Sequence, residues 1–425
     1  MILEVQGAPL RGAVDIPGSK SHTIRAVAIA ALAAGESLIE QPLESADGRA
    51  AVVAYGALGA AIECSESAWR VQGCGGTWAT PDRVIDVGNS GTTMLAALGS
   101  AALLREGVAV LEGDKQVNRR PCGPLVQALN DLGARVVSTR GNGCPPCVVE
   151  GVLRGGETTF ESKTSQYVTA LLLNCPLAEG DSRLNVPLLY EKPYVGMTLA
   201  WLERQGIKVD YAEDYSEFHI PGGQAYRPVH GRIPGDFSSA TFFLAAGALG
   251  GNDVLCRGLD LEDTQGDKAV VDYLRQMGAD ISIEDGGIRV RGKGLIGCEL
   301  DLNATPDALP MMAVLACFAQ GTTRLVNVPQ ARLKETDRIA VMREELQKLG
   351  ANITELEDGL VINESALRAN HVQSHGDHRI VMSLAIAASM LPDTTTIHGA
   401  DAVAVTYPQF PAHLQGLGGA VRTLA

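Results

Sequence analysis

One short pattern occurs six times along the 425 residues, and it restricts the possible folds more than any other feature. It is an apolar residue or small linker, then Gly, a variable pair, and Val or Ile. The copies are Gly59-Ala60-Ala61-Ile62, Gly133-Ala134-Arg135-Val136, Gly206-Ile207-Lys208-Val209, Gly278-Ala279-Asp280-Ile281, Gly350-Ala351-Asn352-Ile353 and, degraded, Gly418-Gly419-Ala420-Val421. The spacing is about 70 residues, which marks an internally repeated architecture. Most copies follow a helical pattern, such as Pro124 to Leu132 or Ala340 to Leu349. Each internal copy leads into a strand, a polar turn and another strand, as in Asp280 to Arg291 around Gly286-Gly287. The unit therefore reads as helix, Gly stop, hairpin.

A second feature keeps the same period. A polar or Gly-rich turn opens directly into a strongly apolar helix. The turns are Gly18-Ser19-Lys20-Ser21, Gly88-Asn89-Ser90-Gly91-Thr92, Lys163-Thr164-Ser165-Gln166, Gly235-Asp236-Phe237-Ser238-Ser239, Thr305-Pro306-Asp307 and Gly376-Asp377-His378-Arg379. Stretches such as Ala26 to Ala34, Phe242 to Leu249 and Met311 to Phe318 are apolar nearly all round, so these helices belong in a core. Plain N-capping accounts for Ser, Thr, Asn or Asp at such positions. It does not account for Lys20, Arg25, Gln166, His378 and Arg379 at or near the same ends, because the positive end of the helix dipole disfavours cations. An anion held there reconciles the two, since free N–H groups and the dipole both attract negative charge.

The length suits two domains. A net charge of −14 excludes a broad nucleic-acid footprint, so any anion site must be local. The start, Met1-Ile2-Leu3-Glu4-Val5, has no basic stretch ahead of an apolar one, and the apolar runs are too short for a membrane span. The nine cysteines are odd in number and scattered, which reads as reduced thiols in a cytoplasm. Cys144-Pro145-Pro146-Cys147 has the spacing of half a zinc site, but neither a second such pair nor a His pair accompanies it. Two incidental thiols flanking a turn is the better reading.

Four motifs follow one another: Pro17-Gly18-Ser19-Lys20-Ser21-His22-Thr23-Ile24-Arg25-Ala26, Gly88-Asn89-Ser90-Gly91-Thr92-Thr93, Arg332-Leu333-Lys334-Glu335-Thr336-Asp337-Arg338 and Asp377-His378-Arg379. The first lacks P-loop spacing. In this order, over about Leu10 to about Phe410, the chain resembles the EPSP synthases, a family of enolpyruvyl transferases. The resemblance implies an α/β (α+β) fold: a two-domain inside-out α/β barrel of six βαβαββ repeats, three per domain. Residues 1–18 plus 235–425 would form a discontinuous domain and 19–234 an inserted one, with the active site in the cleft between them. It further implies transfer of the enolpyruvyl group of phosphoenolpyruvate to the 5-hydroxyl of 3-phosphoshikimate, with release of phosphate. No metal or organic cofactor, nucleic acid or membrane is involved, and the expected form is a cytoplasmic monomer.

That chemistry needs a base for the hydroxyl, an acid for the methylene carbon, and cations for a phosphate and two carboxylates. By resemblance Asp307 is the base and Glu335 moves the proton at the methylene, while Lys20 touches both substrates. Phosphoenolpyruvate would be held by Lys20, Asn89, Gly91, Arg120, Gln166, Arg338, His378 and Arg379. The acceptor would meet Lys20, Ser21, Arg25, Thr164, Ser165, Gln166, Glu191, Tyr194, Asp307, Gln330 and Lys334. Arg suits carboxylates because its planar fork binds them bidentately. Blander readings stand beside these: a surface ion pair for Arg338 and Glu335, an N-cap for Asp307, a buried imidazole for His378.

Some positions depart from the family. Glu191 stands where a Ser of the acceptor's phosphate subsite is usual, and Thr164 replaces another Ser there. A carboxylate about 4 Å from a phosphate charge is repelled by about 4 kcal/mol per charge pair at an effective dielectric near 20. Either Glu191 turns away, paired with Lys192 or Lys163, or the acceptor lacks the phosphate. Leu95 replaces an Arg, Val405 a Lys and Gln330 an Asn; Lys163 is an added cation. Competing readings are transfer to an unphosphorylated cyclohexene alcohol, the sister activity on UDP-N-acetylglucosamine, and a non-catalytic binder on the same fold. Keeping both Asp307 and Glu335 argues against the last.

Overall fold

The computed structural model describes residues 1–284 and 286–424. Twelve α-helices occur among them: α1 Lys20–Leu32, α2 Ala46–Ala57, α3 Gly91–Ala101, α4 Gly123–Asp131, α5 Ser165–Asn174, α6 Lys192–Gln205, α7 Phe237–Ala248, α8 Val270–Gln276, α9 Leu309–Phe318, α10 Arg338–Lys348, α11 His378–Ala388 and α12 Phe410–Gly416. The two kinds alternate. Odd-numbered helices are buried on nearly every face, as in α7 and α11, because small and apolar residues surround the whole axis. Even-numbered helices bury one side only, as α4 does with Leu125, Ala128 and Leu129. Each even helix ends at a Gly with positive φ: Gly59 at 116°, Gly133 at 99°, Gly206 at 74°, Gly278 at 87°, Gly350 at 96° and Gly418 at 97°. These are the six glycines of the repeated motif, and their left-handed backbone stops the helix.

The strands form six four-stranded sheets, each with one parallel and two antiparallel pairings. In one, strands 299–301, 322–326, 359–363 and 352–356 lie in that order. Leu300 sits opposite Leu325 in the parallel pair, and Ile353 opposite Ile362 in the hairpin. A buried helix connects the parallel strands, and an amphipathic helix leads to the hairpin. After Gly206 the hairpin is reduced to strands 210–211 and 217–220.

Three repeats close through distant strands. Strand 11–15 pairs parallel with 253–257, so its repeat resumes only after residue 234. Strand 230–232 pairs parallel with strand 34–40 and completes a repeat begun two hundred residues earlier. Strand 2–6 lies between 395–398 and 420–424. This connectivity yields two compact units, one of residues 1–19 with 234–425 and one of residues 20–233. In the first, α7, α9 and α11 pack against one another; in the second, α3 packs on both α1 and α5. Each unit has its own apolar core.

All nine cysteines are free thiols. Cys147 lies against Cys122, Sγ to Sγ 3.6 Å, and the Cys144 thiol donates to the Arg119 carbonyl oxygen at 3.5 Å. Among the described residues no helix is long and apolar enough to cross a membrane.

Candidate active site

In the unit of residues 20–233 the motif residues gather at the N-termini of α1, α3 and α5. Ser90 caps α3 through the Thr93 N–H, and Thr164 caps α5 through the Gln166 N–H. The two ends are tied together: the Gln166 amide donates to Thr92 Oγ1 at 3.1 Å, and the Tyr167 hydroxyl donates to the Pro121 carbonyl. The second bond fixes the segment that carries Arg120. A Cβ on Gly91 would lie 2.4 Å from Arg120 Nη1, so only Gly lets that guanidinium rest on the first turn of α3. Asn89 donates to Asp114 Oδ2 and Gln116 Oε1, each at 2.7 Å, which holds the turn before α3.

Lys20, the first residue of α1, pairs with Asp47 on α2 at 3.2 Å. Asp47 was not singled out by the sequence, where it reads only as an acid in a first helical turn. One turn after Ser21, Arg25 is 3 % exposed. It donates to Thr198 Oγ1 at 2.9 Å, Thr169 Oγ1 at 3.3 Å, the Ser21 carbonyl at 3.0 Å and the Tyr194 carbonyl at 3.0 Å. All four are neutral oxygens. Burial lowers its pKa to about 10, opposed in part by Tyr194. A buried cation held only by dipoles retains most of its attraction for an incoming anion.

Glu191 does not turn away. It is buried, and its Oε2 accepts from Ser165 Oγ at 2.9 Å, Ser165 N at 3.1 Å and Thr164 Oγ1 at 3.2 Å. The reason is local: the helix N-terminus offers donors to a carboxylate, and Glu191 sits beside it at the N-cap of α6.

The unit of residues 1–19 and 234–425 holds the other motif residues around one guanidinium. Arg338, first in α10 and 1 % exposed, donates from Nη1 to Asp307 at 2.7 Å, from Nη2 to Glu335 at 2.5 Å and from Nε to Asp377 at 2.8 Å. Burial by itself would lower the Arg338 pKa, but Asp377, Glu335 and Asp307 outweigh it and the pKa is raised. Arg379 reaches the other oxygen of Asp307 at 2.9 Å. Asp307 thus bridges two arginines, and the N-cap of its own 3₁₀ turn, Pro306–Ala308, is Thr305. Nor is Arg338–Glu335 a surface pair, since both are buried.

Asp377 orders this cluster. It caps α11 through the Arg379 N–H at 2.9 Å, accepts from Thr336 Oγ1 at 3.2 Å and holds Arg338. Its cap role is legible in the sequence; its hold on Arg338, 39 positions away, is not. His378 is fully buried, with Nδ1 3.9 Å from Asp377 Oδ1. Gln330 is buried and donates to the Asn303 carbonyl at 2.8 Å, while Lys334 is half-exposed at the end of the 3₁₀ turn Pro329–Leu333. Leu95 is buried within α3, and Val405 is half-buried.

Among the described residues one trio could offer metal ligands, Glu344, Glu345 and His375. The Lys348 ammonium bonds Glu345 at 2.7 Å and Glu344 at 3.0 Å, so a cation already serves both carboxylates.

The expected phosphoenolpyruvate and acceptor residues are therefore split between the units. One supplies helix N-termini with Lys20, Arg25, Arg120 and Gln166. The other supplies two arginines bound to carboxylates. The groups of the first unit can hold anions, and in the second the carboxylates on the arginines can move protons.

Residues 5–414 match the family model described as EPSP synthase (3-phosphoshikimate 1-carboxyvinyltransferase). A 3-phosphoshikimate 1-carboxyvinyltransferase of Acetivibrio thermocellus is 51% identical over 423 residues, covering 100% of both chains. The structure of an EPSP synthase from Acinetobacter baumannii superposes with a TM-score of 0.83 at 26% identity, over 99% of this chain and 100% of that one. The enolpyruvyl transferase NikO from Streptomyces tendae, at 20% identity and a TM-score of 0.79 over 100% of this chain and 99% of that one, shares the fold.

Proposed function

The chain belongs to the EPSP synthase family, and on that premise we propose that it transfers the enolpyruvyl group of phosphoenolpyruvate to the 5-hydroxyl of 3-phosphoshikimate, releasing phosphate. The observation that carries this reading is the Arg338 cluster. One buried guanidinium binds an Asp and a Glu, and a second arginine shares the Asp. A binding site for an anionic ligand has no need to place acids on its own arginines. A site that must bind a carboxylate and also move two protons needs both.

In this reading the donor's carboxylate lies on Arg338 and Arg379 and loosens their hold on Asp307 and Glu335. Asp307 takes the proton of the acceptor's hydroxyl as its oxygen bonds to C2 of phosphoenolpyruvate. Glu335 delivers a proton to C3, giving a tetrahedral intermediate with a new methyl group. Return of a methyl proton to the protein re-forms the double bond and expels phosphate. Arg120, the Asn89–Gly91 turn and Lys20 bind that phosphate, where fixed donors stabilise its growing charge without reorganising. His378 and Gln166 complete the donor's surroundings. Ser21 and Arg25 hold the acceptor's carboxylate; Thr164, Ser165, Gln166, Tyr194, Gln330 and Lys334 meet the rest of it.

Each set of three repeats is proposed to form an inside-out barrel, with its buried helices parallel. The protein is proposed to act as a cytoplasmic monomer. The free thiols fit a reducing compartment.

The test is phosphate release by the purified protein with phosphoenolpyruvate, comparing 3-phosphoshikimate and shikimate as acceptors. Release with 3-phosphoshikimate supports the reading. Release with shikimate alone replaces the acceptor, and release with neither refutes the assignment.

A further inference from the structure

We propose that Glu191 is a resident competitor for the acceptor's anionic group, a side chain that fills the anion position at the N-terminus of α5 until the acceptor displaces it. This rests on the transfer to 3-phosphoshikimate proposed above. Three donors converge on a single carboxylate oxygen, Oε2: the Thr164 hydroxyl, the Ser165 hydroxyl and the Ser165 N–H. Free N–H groups and hydroxyls at a helix N-terminus are the groups that bind a phosphate oxygen, and here a carboxylate of the chain has taken them.

Two further observations show that this occupancy is built in. Glu191 has φ +59°, a left-handed conformation that glycine or asparagine adopts more easily. Such a backbone persists when its surroundings over-determine it. The side chain is also almost fully buried, at 2 % exposure, so its charge is withdrawn from water and directed at these donors. The same turn meets Arg25: the Tyr194 carbonyl accepts from Arg25, and the Tyr194 N–H donates to the Glu191 carbonyl. A group on the acceptor's ring and the Glu191 side chain therefore compete close to the cation that awaits the acceptor's carboxylate.

A phosphate and this carboxylate repel each other strongly at contact distance, so they do not share the donors. Binding of a phosphorylated acceptor must expel the side chain, and its apparent affinity is reduced by the stability of the occupied form. An acceptor without a group at that position leaves Glu191 in place. Glu191 thus sets how strongly the protein discriminates between phosphorylated and unphosphorylated acceptors.

The experiment uses the full chain and two variants. Glu191→Asn shortens the side chain and accepts the left-handed backbone. Glu191→Gln keeps the shape and removes the charge. Thermal melting checks that each folds, and if one fails the other decides. Steady-state kinetics with saturating phosphoenolpyruvate give KM for 3-phosphoshikimate, and calorimetry gives its binding without the donor. The expected result is a KM and a dissociation constant lower by about tenfold or more, with a much smaller change in kcat, since a charge clash is removed from binding alone. Unchanged or weaker 3-phosphoshikimate binding in a folded variant overturns the proposal. The calorimetric arm reads Glu191 even if no phosphate is released. Tighter binding without turnover in any protein would uphold Glu191 as the competitor and refute the reaction. Normal wild-type turnover with unaltered binding in the variants would do the reverse.

Discussion

Replacing Arg25 with Met should stabilise the substrate-free protein while destroying its hold on the acceptor. Arg25 is buried among neutral oxygens, and burial lowers its pKa from its ordinary value to about 10. At about 1.36 kcal/mol per tenfold, that shift makes the native state about 3 kcal/mol less stable at neutral pH. The folded pKa lies below the unfolded one, so the unfolded chain holds more protons between these values. The penalty is therefore complete below about pH 10 and fades as the pH rises above that toward the ordinary arginine pKa. Removing the guanidinium does not strand its partners. Thr198 Oγ1 still donates to the Tyr194 carbonyl at 3.0 Å and lies 3.1 Å from Thr169 Oγ1. Met fills most of the space, and the remaining void costs on the order of 1 kcal/mol. A net gain of about 1–2 kcal/mol corresponds to a Tm higher by roughly 2–8 °C in a unit of this size. Differential scanning calorimetry at neutral pH reads the gain, and titration with 3-phosphoshikimate reads the loss. Charge-assisted bonds worth about 1.5–3 kcal/mol predict affinity lower by about 10- to 150-fold. A lower Tm in the variant would falsify the argument that Arg25 is kept for a ligand, and unchanged affinity would remove it from the acceptor site.

Four further substitutions probe the remaining parts. Gly91→Ala places a Cβ 2.4 Å from Arg120 Nη1 on a helical backbone, so the fold should survive while Arg120 is displaced. Its KM for phosphoenolpyruvate should rise about tenfold or more in initial-rate assays, as expected for a lost charge-assisted contact. Asp307→Asn and Glu335→Gln should each lower kcat by about 10²–10⁴ while the donor still binds by calorimetry. Asp377→Asn weakens the buried partner of Arg338 and the cap of α11, and should cost about 3–5 kcal/mol in urea unfolding. Wild-type stability in that variant would mean that Asp307 and Glu335 suffice to neutralise Arg338.

The repeated elements were legible because their signals are local. Each buried helix begins at a turn rich in Ser, Thr, Asp or Gly, and each amphipathic helix ends at a Gly forced into positive φ. Neither depends on what lies elsewhere in the chain. The candidate site was legible as residue types but not as pairings. Nothing in the sequence joins Lys20 to Asp47 or Arg338 to Asp377, because those partners are chosen by which helix ends pack together. The direction of Glu191 was open for the same reason. The adjoining Lys192 and the distant Lys163 offered one solution, and the donors of Thr164 and Ser165 provide another.

The pairings reveal a division that residue types alone conceal. Arg338 and Arg379 are held by carboxylates, so in the proposed reaction they would exchange a partner for the substrate's carboxylate with little change in local charge. The hydrogen-bond partners of Arg25 among the described residues are dipoles, and in the proposed reaction it would gain a charge partner when an anion binds. The first arrangement favours exchange and proton movement, because each incoming anion releases an acid or base already in place. The second favours capture, because binding relieves a standing desolvation penalty. In a chain of net charge −14, Arg25 thus keeps a buried positive charge among dipoles, while Arg338 and Arg379 keep theirs balanced by carboxylates.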